Sequence, residues 1–314
     1  MYWSAVVAFA LTMYVIFDGL DLGVGTLLLF VKDERHRDRM IASIAPVWDG
    51  NETWIVLAGV GLFGGFPLAY AILLPAFYIP LITMLLALAF RGTAFEFRFS
   101  SQHRRRWDVA FGLGSIVAAL AQGVILGGLV AGVRVVDGRF AGSSLDVIRP
   151  LAALTTCAVL AGYVLLGTAW LIRKTDGGMQ RFACRRYPLA AAVFGTLIAL
   201  VLFLTERPGS REALGVAAVA FGLTIAGLTL AAWDAQRHKV LVFRWSLAAI
   251  VGTVAALAAC QWPYIVPRAL TIWEASAPPI SQSLLLIAVA VVLPVILGYF
   301  SFAYYVFRGK ARAS

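Results

Sequence analysis

Charged residues are scarce in this 314-residue chain: Asp, Glu, Lys and Arg make up 13% of it, against roughly a quarter in ordinary soluble domains. Hydrophobic residues make up 61%, and the mean hydropathy is +0.87. A chain of this size cannot keep so much apolar surface away from water by folding alone. The composition therefore excludes a soluble globular enzyme and predicts an integral membrane protein.

Cysteine is also rare, and its three copies are widely separated: Cys157, Cys184 and Cys260. They form no Cys-x-x-Cys pair and no spacing typical of zinc or iron–sulfur ligation. We interpret them as small apolar packing residues. The sequence predicts neither a disulfide framework nor a bound metal.

Histidine is missing from every long apolar run. His36, His103 and His238 all fall in basic segments between such runs. The usual axial ligand of haem iron is therefore absent at membrane depth. Met13 and Met84 lie within apolar runs, but two methionines without a histidine make a poor haem site, so a haem-binding cytochrome is the least favoured interpretation.

What the chain has in abundance is apolar runs long enough to cross a membrane, which needs about 20 residues. The first is too long for a signal peptide and ends without a clear cleavage site, so we interpret it as a membrane span. Nine spans are predicted, at approximately 2–30, 47–64, 68–90, 108–132, 150–172, 188–205, 212–233, 245–263 and 283–307.

The net charge of +10 would suggest a nucleic-acid partner in a soluble protein. Here the basic residues lie in short clusters between apolar runs, and with nine spans 20 of the 26 fall on one side. The remaining six are Arg134, Arg139, Arg149, Arg207, Arg211 and Arg268. This asymmetry predicts an odd number of spans, with the N-terminus outside and the C-terminus in the cytoplasm, and no nucleic-acid partner.

Carboxylates inside apolar runs are costly and point to function. Asp18 and Asp21 are three residues apart in the first span, so they share one helix face. Asp49 and Glu52 open the second span with the same spacing. All four lie toward the cytoplasmic side, where they predict a proton-entry path or a cation site.

Glu96 follows the third predicted span and lies between Arg91 and Arg98. It brings a fifth carboxylate to the same membrane surface. The alternative interpretation is that these groups cap helix starts and pair with nearby arginines, because acidic residues suit helix N-termini. An acidic cluster beside many glycines is also typical of a proton-coupled secondary transporter or channel. A purely structural scaffold subunit is a third interpretation.

The segment 262–276 is rich in aromatic residues and includes Trp273 and Glu274. Aromatic residues of this kind often form a belt at the membrane interface. A docking surface for another membrane subunit is the alternative.

Five segments together resemble subunit II of the cytochrome bd-type quinol oxidases, including their cyanide-insensitive branch. These segments are Asp18–Gly25, Ser43–Trp54, Phe90–Arg98, Lys174–Gly177 and Pro263–Ser276. The core Trp48-Asp49-Gly50-Asn51-Glu52 is specific, and the resemblance covers essentially the whole chain.

The resemblance implies an all-α, polytopic membrane bundle of about nine helices, arranged as two four-helix bundles plus one peripheral helix, in a single domain 1–314. It implies a complex in the bacterial cytoplasmic membrane that oxidises quinol and reduces oxygen to water. Haem b and haem d, or haem b alone, would lie on a partner, subunit I. Subunit II would bind no haem and would pack against subunit I, with small accessory subunits in some complexes.

The resemblance also implies site residues. A proton path from the cytoplasm would use Asp18, Asp21, Asp49, Glu96 and Arg91, supported by Trp48, Glu52 and Asn51. A structural quinone or a subunit contact would involve Trp48, Trp273 and Glu274. Other members often have Asp at the positions of Glu96 and Glu274, so the geometry at those two carboxylates is expected to differ here.

Overall fold

The computed structural model describes residues 2–205, 210–237 and 239–311, so the predicted loop residues Arg207 and His238 lie outside the described part. Helices dominate it, with two short hairpins. In chain order the elements are α1 (Tyr2–Leu28), α2 (Glu34–Ile44), α3 (Trp48–Asn51), α4 (Thr53–Gly65), α5 (Pro67–Ala76), α6 (Tyr78–Ser100), α7 (Arg104–Ala131), β1 (Val135–Val136), β2 (Arg139–Phe140), α8 (Pro150–Lys174), α9 (Gly177–Leu204), α10 (Arg211–Gln236), α11 (Val242–Gln261), β3 (Tyr264–Val266), β4 (Leu270–Thr271), α12 (Ile272–Ala275) and α13 (Pro279–Val306).

Eight helices of the described part are long and apolar enough to cross a membrane: α1, α6, α7, α8, α9, α10, α11 and α13. This confirms the predicted all-α membrane bundle. The predicted span 47–64 is built differently, from α3 and the 13-residue α4. At 1.5 Å per residue, α4 is only about 20 Å long, which is shorter than the hydrocarbon core of a typical bilayer.

The predicted span 68–90 is divided into α5 and α6 by a break at Phe77. Pro80 has no N–H to donate to the Ala76 carbonyl, so one hydrogen bond of the helix is missing at this point. The spanning helix α6 instead runs on to Ser100. Arg91 and Glu96 therefore lie within this helix, and the prediction that Glu96 follows the span is wrong.

Packing divides the long helices into two groups. Helices α1, α4, α6 and α7 form one bundle, and α8 to α11 form the second; α1 and α7 both pack against α8, which joins the two. Helix α13 lies against α4, and Phe300 is its single buried residue. The described part thus has two four-helix bundles and one peripheral helix.

The predicted basic segments meet at one end of the molecule. Arg37 lies 2.7 Å from Asp108, and Arg39 lies 3.5 Å from Asp176. At the same end, Lys310 donates to the Arg173 carbonyl at 2.7 Å. The opposite end carries the antiparallel pairs β1–β2 and β3–β4. Which end faces the cytoplasm stays a prediction of the charge asymmetry.

Contacts near the termini show in which direction α4 runs. The Trp3 indole N–H, near the start of α1, donates to the Gln282 carbonyl near the start of α13 at 3.0 Å. Gly65, at the end of α4, packs against Trp3, whereas Asn51, just before α4, contacts Asp21. Helix α4 therefore runs antiparallel to α1, against which it packs.

Candidate functional site

The acidic pair of the first span lies on the enclosed C-terminal part of α1. Every residue of α1 from Asp18 to Leu28 is buried. A Cβ atom added at Gly23 would clash with the Tyr163 carbonyl oxygen, so only glycine lets α1 and α8 approach so closely. This contact fixes the depth and rotation of α1, and with them the positions of Asp18 and Asp21.

Arg91 of α6 joins two of the predicted carboxylates. Its Nη2 atom lies 2.7 Å from Asp18 Oδ1 and 2.6 Å from Glu52 Oε1. Arg91 and Asp18 are completely buried, while the Glu52 side chain is 32% exposed. The guanidinium group also faces the Phe111 ring, with Cζ 6.0 Å from the ring centroid. Charge-assisted contacts of this length are strong when water is excluded.

Asp21 is bound by a neutral side-chain amide rather than by a charged group. The Asn51 Nδ2 group donates to Asp21 Oδ2 at 2.7 Å and to the Phe17 carbonyl at 3.2 Å. The Asn51 Oδ1 atom accepts a hydrogen bond of 3.2 Å from the Tyr304 hydroxyl of α13. Asn51 therefore ties Asp21 to the peripheral helix, a contact that the sequence did not suggest.

The buried cluster has fewer positive than negative groups. Asp18 and Asp21 are both completely buried and Glu52 is partly so, and Arg91 is the one arginine placed between them. Several of its polar atoms have no hydrogen-bond partner among the described residues: Asp18 Oδ2, Asp21 Oδ1, Arg91 Nε and Arg91 Nη1. Because uncompensated charge is costly to bury, such a cluster favours holding a proton.

Three other predicted residues lie outside this cluster. Asp49 is exposed on α3, and its charge acts on Glu52 of the cluster. Glu96 is exposed on α6 and is turned by roughly 140° from Arg91 on the helix. Trp48 packs on Phe95 of α6, with ring centroids 4.8 Å apart. The structure therefore does not place Glu96 with Asp18 and Arg91.

The residues predicted for a quinone or subunit contact in the segment 262–276 lie on the short helix α12. Trp273 is exposed and meets Trp262 edge to face, with centroids 5.7 Å apart. Glu274 Oε2 accepts hydrogen bonds from the Thr271 backbone N–H at 2.8 Å and from its hydroxyl at 2.7 Å. These bonds lower the pKa of Glu274 and give this residue a capping role.

A second buried carboxylate, Asp108 at the start of α7, was not predicted. Asp108 Oδ2 lies 2.7 Å from Arg37 Nε, and Oδ1 lies 2.5 Å from Arg98 Nε. Arg98 also reaches Asp38 at 2.6 Å. The sequence feature that could have identified Asp108 is its place at the junction between the basic run 104–106 and an apolar run. Both Asp108 oxygens are paired, whereas Asp18 and Asp21 each have one oxygen without a partner among the described residues.

Comparison with known proteins assigns the chain to a family. Residues 1–307 match the family described as cytochrome bd terminal oxidase subunit II. This chain belongs to that family. A solved structure of bd oxidase from Geobacillus thermodenitrificans has the same fold, with a TM-score of 0.79, 19% sequence identity, and 97% of each chain covered.

Curated relatives of the cytochrome bd terminal oxidase subunit II family match the chain over nearly its full length. The probable cytochrome oxidase subunit 2 of Haemophilus influenzae is 27% identical and covers 99% of this chain and 95% of the relative. The cytochrome bd-I ubiquinol oxidase subunit 2 of Escherichia coli is 26% identical, with 98% and 94% covered. The cytochrome bd ubiquinol oxidase subunit 2 of Bacillus subtilis is 27% identical, with 98% and 95% covered.

A cytochrome family raises the question of whether these residues could ligate haem. His36 lies on α2, 3.3 Å from Asp33, and His103 is exposed just before α7. Met13 lies in α1 and Met84 in α6, without a histidine beside either in the described helices. Within the described ranges there is also no group of three or more His, Cys, Asp and Glu side chains suited to a metal. These residues do not fit a haem site.

Proposed function

We propose that this chain is the non-haem membrane subunit of a bd-type quinol:oxygen oxidoreductase in the bacterial cytoplasmic membrane. A haem-bearing subunit I would oxidise quinol and reduce oxygen to water. The family match and the relatives named as ubiquinol oxidase subunits support this assignment. The apolar helix α13 is largely exposed, which suits contact with lipid or a membrane partner.

The observation that carries a more specific role is the imbalance of charge in the buried cluster. Asp18 and Asp21 are completely buried, but Arg91 is bonded to Asp18 and Glu52 and not to Asp21. Among the described residues, the neutral Asn51 amide is the one hydrogen-bond partner of the Asp21 side chain. Asp18 is therefore the ion-pair partner of Arg91, and Asp21 is the group that holds and exchanges a proton.

Glu52 gives the cluster a connection to the protein surface. It is about one-third exposed, it lies between α3 and α4, and it shares Arg91 with Asp18. Protons would enter from the basic end past Asp49 and Glu52 and then reach Asp21. Because quinol releases protons outside and oxygen reduction consumes them from inside, charge would separate across the membrane without a pump.

Replacement of Asp21 by Asn within the assembled complex tests this role. Asparagine keeps the shape of the side chain but cannot carry a proton, so oxygen consumption with quinol should fall about tenfold or more. The haem content per complex should stay unchanged. The control is Asp176→Asn, which changes an exposed carboxylate at the same end of the molecule. If Asp21→Asn turned over at the wild-type rate with normal haem content, the proton role would be excluded and only the scaffold role would remain.

A proton-coupled transporter is the second candidate, because the same buried acidic cluster would serve it. Purification from native membranes separates the two. The oxidase assignment predicts that the chain is isolated with a haem-bearing membrane partner. Isolation of the chain alone, from mild detergent and in a folded state, would contradict it.

A further inference from the structure

A cavity of about 400 Å³ opens at the end of the molecule that carries the β1–β2 hairpin. Its walls come from the end of α7, from this hairpin and from the loop 141–149 that leads into α8. The residues that line this hairpin cavity include Gly132, Arg134, Phe140, Asp146, Val147 and Arg149. Two arginines and one carboxylate therefore border one concave space between two membrane-spanning helices.

The walls of the hairpin cavity are held in place by the fold. The Ser144 hydroxyl donates to the Pro75 carbonyl of α5 at 2.6 Å, which fixes the loop 141–149 to a neighbouring helix. Val147 is buried and packs into a hydrophobic cluster beneath the loop. Gly132 turns the chain out of α7 with a φ of 77°, a conformation that favours glycine. The shape of the cavity thus follows from packing on both sides of it.

The two arginines are anchored through Nε, which leaves their terminal nitrogens available. Arg134 Nε donates to the Ala141 carbonyl at 2.6 Å, and the Ala141 N–H donates back to the Arg134 carbonyl at 3.0 Å. Arg149 Nε donates to the Asp146 carbonyl at 2.9 Å. Within the described part of the chain, the Nη atoms of both arginines have no hydrogen-bond partner. Paired guanidinium groups with free N–H donors suit a phosphate group.

Asp146 adds one negative charge to the same lining. Its Oδ2 atom accepts a hydrogen bond of 2.9 Å from the Ser143 N–H, and the residue is exposed. A simple anion bound by Arg134 and Arg149 would be repelled by this carboxylate. A group that carries both a phosphate and an ammonium would instead meet an opposite charge at each end. The charges of the cavity therefore favour a zwitterionic ligand.

The depth of the cavity indicates that this ligand is a lipid. Helices α7 and α8 contain 28 and 25 residues, so they are about 42 and 38 Å long, and both exceed the hydrocarbon core of about 30 Å. Their ends at the cavity therefore lie at the depth of the lipid headgroups. Leu145 and Ile148 on the adjoining loop are 56% and 67% exposed, which suits contact with acyl chains.

We propose that the hairpin cavity binds the headgroup of an amine-bearing phospholipid, with the phosphodiester on Arg134 and Arg149 and the ammonium near Asp146. Membrane topology alone does not account for these two arginines, because most basic residues of the chain lie at the opposite end. The site shares no residue with the buried acidic cluster, and it does not depend on the proposed proton path.

The test is native mass spectrometry of the purified complex, delipidated in mild detergent and titrated with short-chain phosphatidylethanolamine. The method counts bound lipids. The wild type should bind one molecule more than the double variant Arg134→Gln/Arg149→Gln. Each single variant should weaken this binding about tenfold or more, because it removes charge-assisted hydrogen bonds to the phosphate.

Asp146→Asn tests the amine end of the ligand. Asparagine can still accept the Ser143 N–H but carries no charge. The wild type should bind phosphatidylethanolamine more tightly than phosphatidylglycerol, and this preference should disappear in the variant. A preference that persists in Asp146→Asn would overturn the placement of the ammonium.

Arg139→Gln is the matched control, because it removes an exposed arginine of the same hairpin that does not line the cavity. It should bind lipid like the wild type. Equal lipid binding by this control and the double variant would overturn the proposal. Inorganic phosphate that binds as tightly as the lipid would also overturn it, in favour of a free-anion site. So would loss of the membrane partner from the double variant with no lipid bound to the wild type, since a partner segment would then fill the cavity.

Discussion

The buried carboxylates of this chain differ in how completely their oxygens are paired. Asp108 has an arginine on each oxygen, whereas Asp21 has one neutral amide and one unpaired oxygen. A fully paired carboxylate is fixed as an ion and gives rigidity. An incompletely paired one can gain or lose a proton at lower cost. We therefore expect the two aspartates to have different roles, although both are completely buried.

We expect Asp108→Asn to destabilise the protein strongly without changing the chemistry of the complex. The substitution removes the carboxylate partner of buried Arg37 and leaves Arg98 with Asp38 as its remaining counter-charge, which costs about 3–5 kcal/mol. The yield and thermal midpoint of the purified complex should fall. Turnover per haem in the surviving complex should be normal. A normal thermal midpoint with reduced turnover per haem would instead place Asp108 in the proton path.

The sequence predicted Asp18, Asp21 and Arg91 because charged residues stand out in apolar runs. It could not show that Glu96 is turned away from them, because that depends on α6 continuing past the expected end of the span. Tyr304 gave no such signal. Tyrosine is ordinary in apolar runs, and the significance of Tyr304 comes from its contact with Asn51, which is distant in sequence.

Among the helices, side chains near the helix ends bind neighbouring helices to one another. Lys310, beyond α13, donates to the Arg173 and Thr175 carbonyls at the end of α8, and Lys174 donates back to the Phe307 carbonyl. Each lysine thus satisfies carbonyl groups that the partner helix leaves open. This reciprocal contact holds the C-terminal end of α13, whose remaining surface is largely exposed.

The short helix α12 depends on its capping box, so its order should depend on pH. Because hydrogen bonds from Thr271 lower the pKa of Glu274 below its ordinary value of 4.5, the carboxylate stabilises the folded segment above that value. This contribution is lost as the pH falls through the folded-state pKa. Hydrogen exchange of residues 271–276, corrected for intrinsic rates, should quicken on acidification in the wild type.

Glu274→Gln provides the control for this effect. Glutamine can still accept the Thr271 bonds but does not titrate. Its exchange should show little pH dependence over the same range. An equal acid response in the variant and the wild type would show that another group controls the order of α12.

On the whole-molecule scale, composition and charge placement predicted the membrane bundle, and the family resemblance supplied its arrangement. The departures occur where a local event overrides hydropathy. Pro80 breaks a continuous apolar run at Phe77, and the Trp48–Glu52 motif shortens the second span into α3 and α4. Hydropathy averages over such events, and so it predicts that apolar helices are present better than it predicts where they begin and end.

We propose above that protons for oxygen reduction pass through the buried cluster of Asp18, Asp21, Glu52 and Arg91. The most direct measurement is the rate of proton uptake after fully reduced complex is mixed with oxygen, followed with a pH-sensitive dye. In Asp21→Asn we predict normal oxygen binding and proton uptake slowed about tenfold or more. Uptake at the wild-type rate in this variant, with full haem content, would contradict the account.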